Sequence, residues 1–378
     1  MEVKNEIVKL VGPVKEKRPG VSLCLLLIIL LVLTLFLGVK KKTDEKKISN
    51  FQEVSAICQH KLEEAEALLG LNPAMARTLL SEVRADIETL EKDFKKGSSQ
   101  YEKIEEMMKR EEKARVIASQ IFKIDRLPLF FDLSLVKEGA KGSRLSLYKD
   151  NLLVLDKEKG GVYKISLKNK SAEILAGGLK SPTLISVHGE KVYLLGDEGI
   201  LTVVNGKTTV QTERDEGWGE IASLVAYGGN LYLLDKRGNQ IYKYLGSETG
   251  FSERKSYLNF DVKPDLSSAA SMAVDGSIFV ISGNNILKFT AGQLDKFNLK
   301  GLDKDFNNSS VVYTDDQCKN VYVLDNLNRR VVVLDKDGLY QAQYQWEGLI
   351  DITDMVVSES EKKILLLSGE NIYQIEIK

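Results

Sequence analysis

The longest apolar run of the chain is Val21–Val39, VSLCLLLIILLVLTLFLGV, with no charged side chain anywhere in it. At about 1.5 Å per residue a helix of that length spans roughly 28 Å, close to the hydrocarbon thickness of a bilayer. A buried core helix would carry a polar face; this run holds only Ser22, Thr34 and Gly38. A cleaved signal peptide competes with this reading, but its apolar region is shorter and small residues precede the cut. Here Leu37-Gly38-Val39 leads into Lys40-Lys41-Lys42, which favours an uncleaved transmembrane helix at 21–39 behind a short polar tail at 1–20. Cys24 follows Leu23 and stands before most of the run, the wrong order for a lipidation site. Orientation is not set by charge. Lys4, Lys9, Lys15, Lys17 and Arg18 on one flank balance Lys40, Lys41, Lys42, Lys46 and Lys47 on the other. A short tail and a long carboxy-terminal body favour tail inside and body outside the cell membrane.

From 40 to 126 the apolar positions recur at threes and fours. Ile48, Phe51, Val54, Ile57, Leu62, Ala65 and Leu68 predict a helix over 44–69. Gly70-Leu71-Asn72-Pro73 then breaks the pattern, with glycine past a helix end, Asn72 as N-cap and Pro73 at the first helical position. A second helix to about 96 places Ala76, Leu79, Leu80, Val83, Ile87 and Leu90 on one face. Gly97-Ser98 ends it, and Ser99 with Glu102 forms a capping box for a third helix reaching about 122. The first two helices resemble a tetratricopeptide hairpin, but one hairpin is not an array. The segment is expected to be a coiled-coil or hairpin stalk, with an oligomerisation or partner-binding surface as the sharper alternative.

After Pro128 helical periodicity stops and short β-rich runs alternate with Gly, Asn and Asp turns. One strand recurs six times: NLLVLD from Asn151, KVYLLG from Lys191, NLYLLD from Asn230, SIFVIS from Ser277, NVYVLD from Asn320 and KILLLS from Lys363. The successive starts are offset by 40, 39, 47, 43 and 43 positions. Each copy is preceded by a strand such as 145–148 or 184–187 and followed by one such as 162–165 or 200–203. A period near 42 with three or four short strands is the signature of a β-propeller. Six such units fill 127–378, and the chain ends on the third strand of the sixth. The orphan run 129–136, LFFDLSLV, is then free to supply the missing outer strand and close the ring. The expected architecture is therefore α plus all-β: a transmembrane helix, a helical stalk and a six-bladed β-propeller closed by an amino-terminal strand.

The blades resemble the NHL/YVTN class of six-bladed propellers. The best match is 320–338, NVYVLDNLNRRVVVLDKDG, and the next is 230–244, NLYLLDKRGNQIYKY; the second, fourth and sixth units have shorter turns and depart from the pattern. The layout of anchor, helical stretch and propeller is also similar to the carboxy-terminal half of some bacterial PPM-type phosphatase proteins. In those the phosphatase domain precedes the anchor, and the short stretch 1–20 cannot hold it. That resemblance implies a sensing or scaffolding half without phosphatase activity.

Composition narrows the chemistry. The 378 residues carry 53 Lys plus Arg against 54 Asp plus Glu, a net charge of −1 that gives no electrostatic reason to bind nucleic acid. Cys24, Cys58 and Cys318 are too few and too scattered for a disulfide framework or a zinc site, and His60 and His188 are the only histidines. No metal or other cofactor is expected. Asn205-Gly206-Lys207-Thr208 contains GKT, but six residues separate Gly199 from Gly206 where a phosphate loop needs four, so it reads as a hairpin turn. Asp156, Asp235 and Asp325 end equivalent strands, where an aspartate starts a turn by accepting backbone N–H groups. His188 sits in a turn without a second histidine in the propeller, and Cys318 in the polar turn 315–319 reads as an incidental thiol.

The most informative loop is 212–220, TERDEGWGE, with Trp218 near its tip; Trp346 begins a comparable loop. Inter-unit loops and the turns in the middle of each unit share one propeller face. That face would collect Trp218, Trp346, Lys236, Arg237, Arg329 and Arg330 as a candidate partner surface. The expectation is a membrane-anchored, non-enzymatic scaffold or sensor that presents this surface to a protein, peptide or glycan. The alternatives are a propeller enzyme acting on a glycan or small molecule at the central tunnel, and a tethered partner subunit of a separate signalling phosphatase or kinase.

Overall fold

The computed structural model describes residues 19–248, 250–348 and 350–378, with side chains from Leu25 onward. The expected tail at 1–20 lies outside the described residues except for Pro19 and Gly20. The chain forms two units, one ending at Arg115 and one running from Val116 to Lys378.

The first unit holds helix α1, Pro19–Leu68, helix α2, Pro73–Glu91, and most of helix α3, Ser99–Ala118. The expected transmembrane helix at 21–39 is not a separate element. It continues without a break into the helix expected to start near Asp44, because nothing from Val39 to Asp44 is a glycine or proline. The described apolar side chains run from Leu25 to Val39, about 22 Å of helix, before three lysines. Among the described residues no helix is long and apolar enough to cross a membrane. Asn72 caps α2 as its sequence predicts, its side chain accepting the Met75 N–H at 3.1 Å, and the face from Ala76 to Leu90 is buried. The cap of α3 is Ser98, one residue earlier than expected, accepting from Tyr101 N–H at 3.2 Å. Glu111 is fully buried in this unit and paired with Arg84 and Arg115.

The second unit is a six-bladed propeller. Each blade is built on a four-stranded antiparallel sheet, and the innermost strands form a ring in which 354–358 of the last blade meets 144–148 of the first. All six repeats of the sequence are the second strands of their blades. The ring closes as the orphan run implied: Leu129–Asp132 pairs antiparallel with Asn371–Glu376, with Phe131 opposite Ile372. One strand is new. Helix α3 stops at Ala118, not near 122; Gln120 adopts a left-handed backbone, and Ile121–Ile124 runs parallel to Tyr340–Trp346 as a fifth strand on blade five. Alternating Leu, Val, Ile and Tyr side chains pack between adjacent blades, so the core is a set of inter-blade layers rather than one central mass.

Candidate functional site

The propeller has two distinct ends, and the buried aspartates explain the first. Asp156 accepts from the N–H groups of Lys141 at 3.0 Å and Lys159 at 2.9 Å. Asp235 does the same for Gly219, Glu220 and Gly238, between 2.6 and 3.0 Å. Asp325 takes Asn307 N–H at 2.9 Å and the Arg330 guanidinium at 2.8 Å. Each carboxylate thus staples a mid-blade turn to the loop arriving from the previous blade. They sit apart in separate blades and do not converge on a cation. Among the described residues no cluster of three His, Cys, Asp or Glu side chains stands at metal-ligand spacing.

The candidate partner surface lies at this end and is largely spent on packing. Trp218 is 7% exposed, its indole N–H donating to the Tyr244 hydroxyl at 2.8 Å, and Trp346 is 4% exposed within the core between blades five and six. Arg330 is 1% exposed, held by Asp325, Asp303 and Gln343. Lys236 pairs with Glu220 at 2.7 Å. Only Arg237 and Arg329 point to solvent. Both tryptophans turn inward because an inter-blade gap buries far more aromatic area than a loop tip can. The Asn205-Gly206 pair is the expected tight hairpin turn, both residues having positive φ.

The innermost strands of all six blades enclose a tunnel holding a cavity of about 320 Å³. Its wall is largely small or aliphatic: Leu145, Ile185, Leu224, Ala273, Val312 and Val356 recur around it. The end opposite the aspartate staples is different. There the innermost strands of blades one, two and three finish on Tyr148, His188 and Tyr227, each paired with the first residue of the next strand. The His188 ring stands edge-on to Tyr148 at 5.3 Å between centroids and tilted to Tyr227 at 6.4 Å. Across the mouth, blades four and five contribute acids: Asp275, Asp315 and Asp316.

These groups are unequally engaged. Lys336 bonds both Asp275 and Thr314. Asp315 accepts from Gln317 and Cys318 N–H, each at 2.9 Å, and from the Tyr313 hydroxyl at 3.3 Å. Glu359 fixes the same loop from blade six, accepting from Lys319 N–H at 2.9 Å, Asn320 N–H at 3.1 Å and the Tyr322 hydroxyl at 2.9 Å. The side chains of Tyr148, His188, Tyr227 and Asp316 make no hydrogen bond or ion pair among the described residues. Burial, and then the charges of Asp316 and Asp275, raise the Tyr227 hydroxyl above the usual phenol range. Burial raises the Tyr313 hydroxyl much further, with Asp315 adding to it. Cys318 is buried, and desolvation first and Asp315 second push its thiol up, so it is no ready nucleophile.

A rim with four unengaged polar side chains facing a partly apolar cavity has the makings of a small-molecule site. Sequence reasoning assigned His188 to a turn and overlooked Tyr148 and Tyr227. The signal was the shared repeat position: each is the last residue of its innermost strand, two before a turn residue Asp150, Glu190 or Gly229.

No protein-family model matches the chain, and no curated protein does. Solved structures do. A gluconolactonase from Xanthomonas campestris is 12% identical with a TM-score of 0.49, the match covering 67% of this chain and 95% of that one. A streptogramin B lyase is 11% identical at 0.47, covering 67% and 98%. A calcium-binding protein, regucalcin, from Agrobacterium tumefaciens is 12% identical at 0.47, covering 68% and 95%. The propellers matched include a lactonase and a lyase, which runs against the expectations of a non-enzymatic scaffold and of no enzymatic activity. At this similarity they share the six-bladed fold with this chain and carry over neither reaction nor substrate.

Proposed function

We propose that the propeller is an enzyme that holds a small organic molecule at the aromatic end of its central tunnel, with His188 moving a proton to or from it. One observation carries the reading: His188 is wedged between Tyr148 and Tyr227 at the cavity mouth with no hydrogen-bond partner among the described residues. A structural histidine held inside a fold has its ring nitrogens satisfied; this one faces a cavity instead, and imidazole is the side chain best suited to proton transfer near neutral pH. Tyr227 and Asp316 supply a second donor and an acceptor across the mouth. With Cys318 buried and its thiol pushed up, the reading favours general acid–base chemistry, as in an elimination or a water-mediated hydrolysis, over covalent catalysis through a thiolate.

The chain has only two histidines, and His60 is exposed on α1, which makes the test direct. Full-length protein carrying ¹³C-labelled histidine would be screened against esters, lactones, amines and amides. Hits are expected to move the His188 signal and leave His60 in place, and any turnover is expected to vanish in His188→Asn while melting is unchanged. Turnover that survives in His188→Asn would overturn the assignment.

We also propose that Val21–Val39 tethers the protein to the cell membrane, with the propeller outside the cytoplasm. The support is the exposure of its apolar helix: every Leu, Ile, Val and Phe from Leu25 to Val39 is 53–67% exposed, a patch that water-soluble surfaces do not leave uncovered. Val21, Ser22, Leu23 and Cys24 extend the uncharged run toward the amino terminus. Resistance to carbonate extraction and a carboxy-terminal reporter active only outside are the expected results; a soluble chain after carbonate, or a reporter active inside, would refute the tether or its direction.

A further inference from the structure

We propose that the ligand taken at the aromatic end of the tunnel is an organic cation, a protonated amine or quaternary ammonium with an apolar body. This rests on the tunnel reading above and adds the chemical class.

The mouth is divided by blade. One arc is aromatic, with Tyr148, His188 and Tyr227 at equivalent positions of three consecutive blades and ring centroids 5.3 and 6.4 Å apart. The facing arc is acidic, with Asp315 and Asp316 in the cavity wall and Asp275 beside them. A π face and a carboxylate attract the same kind of ligand, and cages of aromatic rings are a recurring solution for alkylammonium groups. The protein's own charges cancel this field only in part. Lys336 neutralises Asp275, while Asp315 is held by backbone N–H groups and Tyr313, and Asp316 has no partner among the described residues. An anionic ligand would face two uncompensated carboxylates there. Burial first, and then the charges of Asp316, Asp275 and, less, Asp315, hold the proton on the Tyr227 hydroxyl.

A cation already rests on this arc. The Lys149 ammonium lies 5.4 Å from the centroid of Tyr148. Lys149 is exposed and makes no ion pair among the described residues, so it acts as a tethered occupant of one ring. The aliphatic wall beyond, Leu145, Ile185 and Leu224, suits the carbon body of the ligand rather than its charge.

The test uses full-length protein in a neutral detergent, choline as the cation and 3,3-dimethylbutan-1-ol as its uncharged isostere. Binding would be followed by calorimetry and by the His188 signal. Choline is expected to bind about tenfold more tightly than the isostere, the increment of a cation–π contact with a nearby carboxylate. Asp316→Asn should remove most of that preference without changing melting, and Lys149→Gln should strengthen choline binding. Equal binding of the two, both moving His188, would overturn the cation class and leave the tunnel reading standing. If neither moves His188, the cation class falls, and the tunnel reading is decided separately by whether esters, lactones or amides do so.

Discussion

The carboxylate of Asp354 accepts the backbone N–H of Leu145 at 2.7 Å, joining the innermost strand of the last blade to that of the first. Its second oxygen accepts from Met355 N–H at 2.9 Å. Burial pushes this carboxyl up to about 6, with Arg144 and the two N–H groups pulling the other way. A group whose folded pKa exceeds its unfolded value of about 3.9 binds its proton more tightly in the native state. Its contribution is therefore most favourable below about pH 4 and declines as pH rises through 6, by up to about 3 kcal/mol. Melting temperature measured from pH 4.5 to 7.5 should fall more steeply in the wild type than in Asp354→Asn. Parallel slopes would show that this seam does not titrate.

The ring closes through Leu129–Asp132, and Ile372 is fully buried opposite Phe131. Ile372→Ala should cost about 2–5 kcal/mol, as large-to-small core changes do. Leu327→Ser, at an exposed position of a mid-blade turn, should stay within about 0.5 kcal/mol. Urea unfolding followed by circular dichroism distinguishes the two.

Arg330 is buried with Asp325, Asp303 and Gln343 around it. Arg330→Met leaves the fully buried Asp325 without its cation and should cost about 3–5 kcal/mol. Arg330→Lys should not restore it, because an ammonium cannot reproduce the several directed bonds of the guanidinium. The readout is again urea unfolding; full rescue by lysine would show that charge alone suffices.

Trp218→Phe removes the 2.8 Å bond to the Tyr244 hydroxyl and should cost about 1 kcal/mol from that bond. Tyr244 is already pushed up to about 12, chiefly by burial, with the indole bond opposing it. Its ultraviolet titration should therefore move to higher pH in the variant. A titration that moves lower would mean the two rings are not bonded.

The propeller was legible because its information is local. Asn230–Asp235 and Asn320–Asp325 each announce a strand by a short apolar, β-rich run and a turn by the closing aspartate, and the near-regular period repeats the strand six times. The α2 face was legible for the same reason, since Asn72, Pro73 and Ala76 to Leu90 act within a few turns of one another. Ile121–Ile124 was not: its partner strand, Tyr340–Trp346, comes four blades later in the chain, and local periodicity extended α3 through it.

The site divides along the same line. Sequence alone determined that the propeller has six blades, that its two ends meet in one sheet, and that Asp156, Asp235 and Asp325 open turns. Each of these is set by neighbours in the chain or by a fixed repeat. Only the tertiary structure decided that Trp218, Trp346 and Arg330 are buried, and that Tyr148, His188 and Tyr227 stand together opposite Asp315 and Asp316. Those residues belong to separate repeats. They meet because each innermost strand ends at the same end of one tunnel, a convergence created by ring closure and invisible within any single repeat.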